Sequence, residues 1–296
     1  MNITRHTTEA AWLADKLTAI SASESPALFG ASGYASPFSI FERKRAGVVE
    51  VRPPDEMQEA GHRLEPVIAK WFGDLNPGLP IHNPGEYTIV RSGETPCMAC
   101  TPDRLILSGS NIAAGTPPLE LKCSFNYKTA ALWKTHIPPA YQIQLHHQMY
   151  CLESSEGWFA VLCEGYRFTF YKMNRNERFV TTLVARCSEF WDMVQSNTPP
   201  PVDFHSETRK ALSRFYDEPT EVSVDLDHTF WETHEQLEKA KAEGKRWKKL
   251  EDEASNRIKA GIGNATIGVL HDCETAYRWS KGKSRRLSKT KVHDNE

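Results

Sequence analysis

Pro118-Leu-Glu-Leu-Lys-Cys-Ser124 is the stretch from which the fold is predicted, because it holds two charged residues inside an apolar run. Side chains alternate between the two faces of a β-strand, so Glu120 and Lys122 project to one face while the leucines project to the other. A buried charge costs several kcal/mol unless it is paired or binds a metal. An isolated Glu-x-Lys is usually an exposed ion pair on an edge strand, so its role depends on the residues around it.

The composition is that of an ordinary soluble globular protein, with 40% hydrophobic and 25% charged residues. A chain of 296 residues can form one large domain, or one domain with an appendage. The formal net charge of -2 gives no global attraction to nucleic acid, so any DNA contact has to come from a local basic surface. Composition therefore neither supports nor excludes DNA as a ligand.

The cysteine spacing and the absence of long apolar runs in the sequence indicate the cellular compartment. Seven cysteines, without the spacing of a small disulfide scaffold, fit a reducing cytosol. Cys97-Met-Ala-Cys100 is the only Cys-x-x-Cys, and no second pair completes a zinc site, so we expect two half-buried strand cysteines there. The sequence has no run of about 18 apolar residues and no signal-peptide core. We therefore expect a soluble, cytoplasmic protein without membrane contact.

The first 50 residues predict short helices and a candidate anion site. One helix is predicted over 8–19, and Ser23, followed by an acidic residue and a proline, predicts a cap that opens another over 25–30. Free backbone amides and the helix dipole favour an anion at such an end, although simple capping explains the same pattern. A third helix is predicted over 38–46, with the basic run 43–45 exposed.

A stronger helix is predicted over 56–72, where apolar residues recur at helical spacing. Glu65 lies at the edge of this apolar stripe. A carboxylate at that position could reach into a cleft, although a solvated helix glutamate is the commoner outcome.

Two predicted strands bring carboxylates into the same region. Residues 86–91 and 98–107 have strand character, and the Gly/Ser/Asn-rich segment 108–116 predicts the turn between the strand of Asp103 and the strand of Glu120. Hairpin-like pairing of these two strands brings Asp103 and Glu120 together. Two converging carboxylates repel each other unless a divalent cation lies between them.

A helix predicted from Pro138-Pro139 to Leu152 mixes amides into an apolar stripe. Gln144 on that stripe could hydrogen-bond a carboxylate or a metal-bound water. His146 and His147 are adjacent and therefore point apart on a helix, so structural or phosphate-contacting roles are favoured over a zinc site.

The second half of the chain changes character at Thr198-Pro-Pro-Pro201, which is the predicted domain boundary. Before it, a hairpin over 158–173 and an amphipathic helix over 178–195 are predicted. After it, the mixed charges of 232–259 predict an exposed helix or helical hairpin, and 266–279 predict a small hairpin. The basic segment at the C-terminus could bind phosphates or form a solvated tail.

Five segments occur in one order along the chain: Ile20-Ser-Ala-Ser-Glu24, Gly61-His-Arg-Leu-Glu65, Cys100-Thr-Pro-Asp103, Leu119-Glu-Leu-Lys-Cys123, and Tyr141-Gln-Ile-Gln144 with Met149-Tyr150. Together they resemble the lambda-type exonuclease or YqaJ-like viral recombinase family of the PD-(D/E)xK nuclease superfamily. The resemblance implies an α/β (α+β) fold with a restriction-endonuclease-like core, in which helices flank a central mixed β-sheet. This nuclease domain is predicted over 1–201, with a mostly helical extension over 202–296.

The resemblance also implies a metal site. Glu65, Asp103 and Glu120 match the metal-binding carboxylates of the family, with the Leu121 carbonyl as a further oxygen ligand. Oxygen ligands of this kind suit Mg²⁺, or Mn²⁺ as a substitute, rather than zinc. Lys122 is similar to the family lysine that orients the attacking water or helps to deprotonate it.

Further positions match the family pattern or depart from it. Gln144 is similar to the amide that supports the metal site, and Ser23 matches the serine that binds a terminal 5′ phosphate. Lys16 stands where the family usually has arginine, and lysine keeps the charge but loses bidentate phosphate geometry. His146 stands in place of a second family glutamine.

By resemblance, the expected activity is Mg²⁺-dependent digestion of linear double-stranded DNA from its 5′ ends. The 3′ single strands left behind would serve recombination by a strand-annealing partner. The family also implies a homo-oligomer, with a ring-shaped trimer as the model, and a phage or prophage protein in the bacterial host cytoplasm. Two alternatives remain open: an endonuclease that uses the same site, and a non-catalytic DNA-binding or assembly module.

Overall fold

The computed structural model describes residues 1–49, 51, 53–218, 220, 222–271, 275–280 and 285–291. The chain divides into two compact units, Met1–Pro219 and Thr220–Glu296. None of the described helices is long and apolar enough to cross a membrane.

The described part of the first unit combines helices and strands. Its α-helices are α1 (Glu9–Leu17), α2 (Pro37–Ala46), α3 (Glu56–Leu75), α4 (Tyr127–Leu132), α5 (Pro139–Cys151), α6 (Glu177–Gln195) and α7 (Ser206–Phe215), with a short 3-10 helix at Ser25–Phe29. Its strands are β1 (Asn2–Arg5), β2 (Ile20–Ser21), β3 (Ile81–His82), β4 (Thr88–Arg91), β5 (Met98–Cys100), β6 (Arg104–Ile106), β7 (Pro118–Ser124), β8 (Glu156–Cys163) and β9 (Arg167–Asn174).

These strands form two mixed sheets. The larger has the order β3-β6-β7-β8-β9, and its β7 and β8 are parallel while the other pairs are antiparallel. The smaller has the order β1-β4-β5-β2, with β2 parallel to β5. The predicted fold class, mixed sheets flanked by helices, is confirmed.

Helices cover both faces of β7 and β8 in the larger sheet. Leu119 and Leu121 of β7 pack with Ile68 and Phe72 of α3. On the other face, α5 packs against alternate residues of β8, among them Phe159. Because Glu120 is paired with Phe159 across the parallel strands, it lies on the α5 face of the sheet. The alternation predicted for residues 118–124 is therefore observed, with α5 above the two charged residues.

The strand predicted over 98–107 is broken by Thr101-Pro102-Asp103. β5 before the break belongs to the four-stranded sheet and β6 after it belongs to the five-stranded sheet. Proline has no N–H to donate to a strand ladder, which is the physical reason for the break at Pro102. Asp103 thus lies where the chain passes from one sheet to the other.

The first compact unit extends past residue 201, where the sequence predicts a boundary. Helix α7, which was not predicted individually within the mostly helical extension, packs on α2 through Phe215, whose ring centroid lies 5.6 Å from that of Phe38. Arg214 and Glu42 also join these helices by an ion pair of 2.9 Å. Contacts between α2 and α7 therefore place 206–215 with the first unit.

The expectation that Lys44 is exposed is wrong. Only 1% of its side chain is accessible, and its Nζ lies 2.9 Å from Oε2 of Glu24. The same ammonium donates to the carbonyls of Lys16, at 3.1 Å, and Ala19, at 2.5 Å. A carboxylate and two carbonyls compensate for the burial of this charge.

The second unit contains one long helix and a small sheet among its described residues. Helix α8 (Thr229–Ile262) corresponds to the exposed helix predicted over 232–259. Strands β10 (Ile267–Val269), β11 (Thr275–Ser280) and β12 (Arg286–Lys291) form an antiparallel sheet in sequence order. The β10–β11 hairpin follows the prediction, whereas β12 lies in the basic segment that was also compatible with a tail.

Candidate active site

Strand pairing brings Asp103 and Glu120 together. β6 and β7 are antiparallel with Arg104 opposite Leu119, so Asp103, just before β6, is in line with Glu120. The backbone N–H of Leu121 donates to Oδ2 of Asp103 at 2.8 Å. Burial and the nearby Glu120 carboxylate raise the pKa of Asp103 well above its usual value. Two carboxylates therefore converge on one partly buried position.

Glu120 is almost completely buried, with 2% exposure, and both of its carboxylate oxygens have partners. Oε1 accepts from Nε2 of Gln144 at 2.5 Å and lies 2.6 Å from Nζ of Lys122. Oε2 accepts from Nε2 of Gln148 at 2.5 Å. Hydrogen bonds to a charged carboxylate are stronger than hydrogen bonds between neutral groups, and here they offset the cost of burying Glu120.

Lys122 remains charged in this arrangement. Burial alone lowers the pKa of its ammonium, but the Glu120 and Asp103 carboxylates outweigh burial and raise that pKa above its usual value. The ammonium also lies 5.3 Å from the ring centroid of Tyr141 on α5. The Lys122 side chain is 23% exposed, so a ligand can reach it. Lys122 can therefore supply a positive charge and hydrogen-bond donors to that ligand.

Glu65 approaches the same cluster from α3. Its side chain is half-buried, and burial raises the pKa of its carboxyl, with a further contribution from the charge of Glu120. His62 and Arg104 act in the opposite direction on the same group. The structure thus places the third predicted carboxylate within electrostatic reach of Glu120 and Lys122.

The donors present suit a hard divalent cation in their chemistry. Carboxylate oxygens of Asp103, Glu120 and Glu65 are the ligand type that Mg²⁺ prefers, and their mutual repulsion is what a cation relieves. In the described part of the chain, no three His, Cys, Asp or Glu side chains are arranged closely enough to hold a metal ion. Glu120 is instead neutralised by Lys122 at 2.6 Å.

Gln148 is a site residue that the sequence did not identify. It lies one turn after Gln144 on α5, so the i, i+4 spacing of the two glutamines on one helix face is the signal present in the sequence. The contact with Glu120 is visible only in the structure, since it depends on how α5 crosses β7.

The predicted helix cap at Ser23 is wrong. The short 3-10 helix starts at Ser25, Glu24 occupies the cap position, and no side chain makes a cap hydrogen bond. Ser23 is exposed, with its Oγ 3.2 Å from Oγ of Ser21. The Glu24 carboxylate accepts instead from the backbone N–H of Ser21 at 2.7 Å. Ser23 is therefore available on the surface and is not engaged with a helix end.

Ser23 and Lys16, the two predicted phosphate-binding residues, line one cavity of about 570 Å³. Polar and charged neighbours share that lining, including Ser21, Glu24, Tyr34 and Arg43. Nζ of Lys16 lies 4.1 Å from the ring centroid of Trp12, and burial lowers the pKa of the Lys16 ammonium. Arg43, which the sequence did not single out, adds a guanidinium and pairs with Glu24 at 2.6 Å.

The cavity and the carboxylate cluster are connected through the backbone. Ser21, which lines the cavity, is opposite Ala99 of β5 in the parallel β2–β5 pair. Asp103 follows Ala99 by four residues along the chain. The residues predicted to bind phosphate and metal are therefore joined by one strand pair and a short stretch of chain.

Residues 11–155 match the family model of the YqaJ-like viral recombinase domain. The chain carries a YqaJ-like viral recombinase domain. This match confirms the family predicted from the five sequence segments and contains all of the candidate site residues. Helices α6, α7 and α8 lie outside the matched range.

The chain is also similar to known proteins over a range longer than this YqaJ-like domain. The uncharacterized protein YqaJ of Bacillus subtilis (strain 168) is 24% identical over 287 residues, covering 96% of this chain and 86% of that relative. The crystal structure of the alkaline exonuclease LHK-Exo from Laribacter hongkongensis aligns with a TM-score of 0.51 at 18% identity, over 69% of this chain and 98% of that one. LHK-Exo in complex with dAMP gives the same TM-score at 16% identity, over 70% and 97% of the two chains. These structures show a shared fold.

The two adjacent histidines of α5, His146 and His147, lie inside the protein. His147 is fully buried, and His146, with 6% exposure, has its ring centroid 5.1 Å from that of Phe179 on α6. Burial, with a contribution from Arg175, lowers the pKa of His146 to about 4. His146 is therefore neutral at physiological pH, and its observed contact is a packing contact.

Proposed function

We propose that this protein is a Mg²⁺-dependent exonuclease that digests one strand of linear duplex DNA from its 5′ end and leaves a 3′ single strand. The family match indicates a nuclease of the phage recombinase type. The observation that carries the proposal is the convergence of Asp103, Glu120 and Lys122, with Lys122 held charged 2.6 Å from Glu120.

The residues that would hold the metal are Glu65, Asp103 and Glu120, with the Leu121 carbonyl as a further oxygen. Mn²⁺ is the expected substitute, because it shares the preference for oxygen ligands. A bound divalent cation lowers the pKa of water and stabilises negative charge on a phosphate undergoing hydrolysis.

The protein's own groups would orient and stabilise the reacting phosphate. The Lys122 ammonium provides a fixed positive charge next to the carboxylates, where developing negative charge on phosphate oxygens is stabilised. Gln144 and Gln148 hold the two oxygens of Glu120 in one orientation. Positioning of this kind lowers the barrier because no reorganisation is needed when charge develops.

The cavity beside this cluster supports recognition of a 5′ terminal phosphate. Lys16 and Arg43 contribute cations, and the hydroxyls of Ser21 and Ser23 contribute donors. Lys16 binds as a point charge, whereas a guanidinium such as that of Arg43 can form two parallel bonds to phosphate.

Assembly and partners are proposed from the family resemblance. The protein would act on double-stranded DNA ends as a homo-oligomer, and the family resemblance favours a ring-shaped trimer. Its 3′ single-stranded product would be passed to a single-strand annealing protein, in the cytoplasm of a bacterial host that carries the phage or prophage.

Digestion of end-labelled DNA tests the proposal. Linear duplexes labelled at either the 5′ or the 3′ end and a covalently closed circle are incubated with Mg²⁺ and with wild type, Lys122→Ala or Lys128→Ala. Lys128 is an exposed lysine on α4 and serves as the matched control. We expect early release of 5′ mononucleotides from linear DNA only, lost in Lys122→Ala and retained in Lys128→Ala.

Two results would replace the proposal with its alternatives. Cleavage of the closed circle would indicate an endonuclease that uses the same site. Absence of any product from every substrate, with DNA binding retained, would indicate a non-catalytic binding or assembly module.

A further inference from the structure

The second unit separates its charges between the helix and the sheet. From Thr275 to Lys291 the sequence contains seven basic residues and no Asp or Glu; they are Arg278, Lys281, Lys283, Arg285, Arg286, Lys289 and Lys291. Helix α8 contains eight basic residues and seven acidic ones, so its charge is nearly balanced. The excess positive charge of this unit therefore lies in the segment that forms β11 and β12.

Four of the eight basic residues of α8 pair with carboxylates of the same helix. Lys241 pairs with Glu238 at 2.7 Å, and Lys248 pairs with Glu251 at 3.0 Å. Arg257 makes a similar pair with Glu253. These i, i+3 and i, i+4 pairs are typical of a solvated helix surface.

The register of the sheet places Arg278 and Arg286 on one face. Arg278 is opposite Ser288, and Ser280 is opposite Arg286, and directly opposed residues of antiparallel strands share a face. The two arginines are therefore diagonal neighbours, roughly 7–8 Å apart at the backbone. Both are exposed, and the serines beside them are small.

Arg285 has a different role, since it holds the start of β12 in place. Its guanidinium donates to the carbonyls of Gly263, at 3.2 Å, and Ala265, at 2.7 Å, and lies 3.6 Å from the ring centroid of Trp279. Among the residues that the structure describes, neither Arg278 nor Arg286 forms an ion pair with a carboxylate. Within this described part of the chain their guanidiniums have no carboxylate partner, so they can bind an external anion.

We propose that Arg278 and Arg286 form a DNA phosphate-binding surface in the second unit, distinct from the carboxylate site and the Ser23 cavity. Guanidiniums bind phosphate oxygens through charge-assisted, bidentate hydrogen bonds, and binding releases counterions from DNA. DNA is the anion assigned because the inference rests on the proposed function, in which duplex DNA is the substrate. The surface binds the backbone irrespective of sequence.

Binding of the full-length protein to duplex DNA in EDTA, as a function of salt, tests this surface without hydrolysis. The variants are Arg278→Glu/Arg286→Glu and the milder Arg278→Gln/Arg286→Gln. The matched control is Lys245→Glu/Lys249→Glu, which makes the same charge change at two exposed lysines of α8. We expect the arginine reversal to weaken binding by about tenfold and to reduce the slope of log K against log salt by about 1.8, or about 0.9 per lost phosphate contact.

The outcomes separate this inference from the proposed function. The Gln variant should show a smaller loss in the same direction, and the α8 control should bind nearly as wild type. If both arginine variants bind as wild type does, or the control loses as much affinity as the Glu variant, the surface is wrong while the nuclease proposal stands. Wild type that neither binds nor digests linear duplex would overturn both.

Discussion

Nε2 of Gln148 donates to Oε2 of Glu120 at 2.5 Å, on the oxygen that neither Gln144 nor Lys122 contacts. Because Gln144 and Gln148 are one turn apart on α5, a single helix determines the orientation of the whole carboxylate. A carboxylate bonded at only one oxygen could rotate about its terminal bond. Here both oxygens are fixed before any ligand arrives.

Gln148→Leu should therefore impair both stability and metal use. Loss of the donor leaves Oε2 of buried Glu120 unsatisfied, which costs about 1–3 kcal/mol in the free energy of unfolding. We expect Mg²⁺-dependent digestion to fall by about tenfold to a hundredfold, with a higher Mg²⁺ concentration for half-maximal rate. Urea unfolding and Mg²⁺ titrations of the initial rate measure these changes.

Gln142→Leu is the control for that substitution. Gln142 lies on the same helix and donates to the carbonyl of Ile137 at 2.6 Å, so the variant also loses a partly buried hydrogen bond. It should keep the wild-type Mg²⁺ dependence. An unchanged half-maximal Mg²⁺ concentration in Gln148→Leu would show that Gln148 does not position Glu120.

Removal of the Lys44 charge should destabilise the first unit strongly. Lys44→Met leaves the Glu24 carboxylate without its buried partner and removes the donor to two carbonyls, so we expect a loss of roughly 3–5 kcal/mol in unfolding free energy. Adding Glu24→Gln should recover part of this loss, because no buried charge then remains unpaired. Lys70→Met, at an exposed ion pair, should change stability by less than about 0.5 kcal/mol. Additive effects of the Lys44 and Glu24 changes in urea unfolding would contradict the predicted coupling.

Acid should weaken the fold through Glu24. Burial alone raises the pKa of this carboxyl, but Lys44 and Arg43 outweigh it and lower the pKa from 4.5 to about 2. A folded-state pKa below the unfolded value contributes stability above pH 4.5, up to about 3 kcal/mol, which is lost as the pH falls towards 2. Urea unfolding measured from about pH 6 down to about pH 2.5 should show a smaller acid-dependent loss of unfolding free energy in Glu24→Gln than in wild type. Glu94→Gln, at an exposed position, should behave as wild type, and equal pH slopes in all three proteins would refute the assignment.

Lys16→Arg should increase discrimination in favour of phosphorylated 5′ ends. A guanidinium adds bidentate geometry to a charge that already lines the Ser23 cavity. We expect the ratio of digestion rates on 5′-phosphate and 5′-hydroxyl duplexes to rise several-fold in Lys16→Arg and to fall in Lys16→Met. Lys70→Arg, on the surface of α3, should leave the ratio unchanged. A ratio that is insensitive to every Lys16 variant would remove Lys16 from phosphate recognition.

The carboxylate cluster could be predicted from local patterns. Strand alternation places Glu120 and Lys122 on one face, and a turn-rich segment between two strands brings Asp103 opposite Glu120. The break at Pro102 could also have been found, since proline interrupts a strand ladder. These features depend on residues close in sequence or on a single hairpin.

The remaining features depend on contacts between distant parts of the chain. Lys44 belongs to a basic run at the end of a helix, and nothing nearby in sequence shows that Glu24 will accept its charge in the interior. Helix α7 packs on α2 through Phe215, which contacts Phe38 and Phe41 across more than 170 residues of sequence. The cap predicted at Ser23 fails for a related reason, because the Glu24 side chain turns back to the Ser21 amide, although the short helix itself is present at Ser25–Phe29.

The passage of the chain between sheets at Pro102 gives the carboxylate pair an unusual support. Glu120 belongs to the five-stranded sheet, whereas Asp103 is reached through β5, which pairs in parallel with β2 so that Ser21 is opposite Ala99. Ser21 and Ser23 are also the hydroxyls of the neighbouring cavity. The spacing of the two carboxylates is nevertheless set inside the five-stranded sheet, because β6 pairs with β7 and the Leu121 N–H donates to Asp103. The three residues that follow β5 consequently connect this carboxylate pair to the strand that lies beside the cavity hydroxyls.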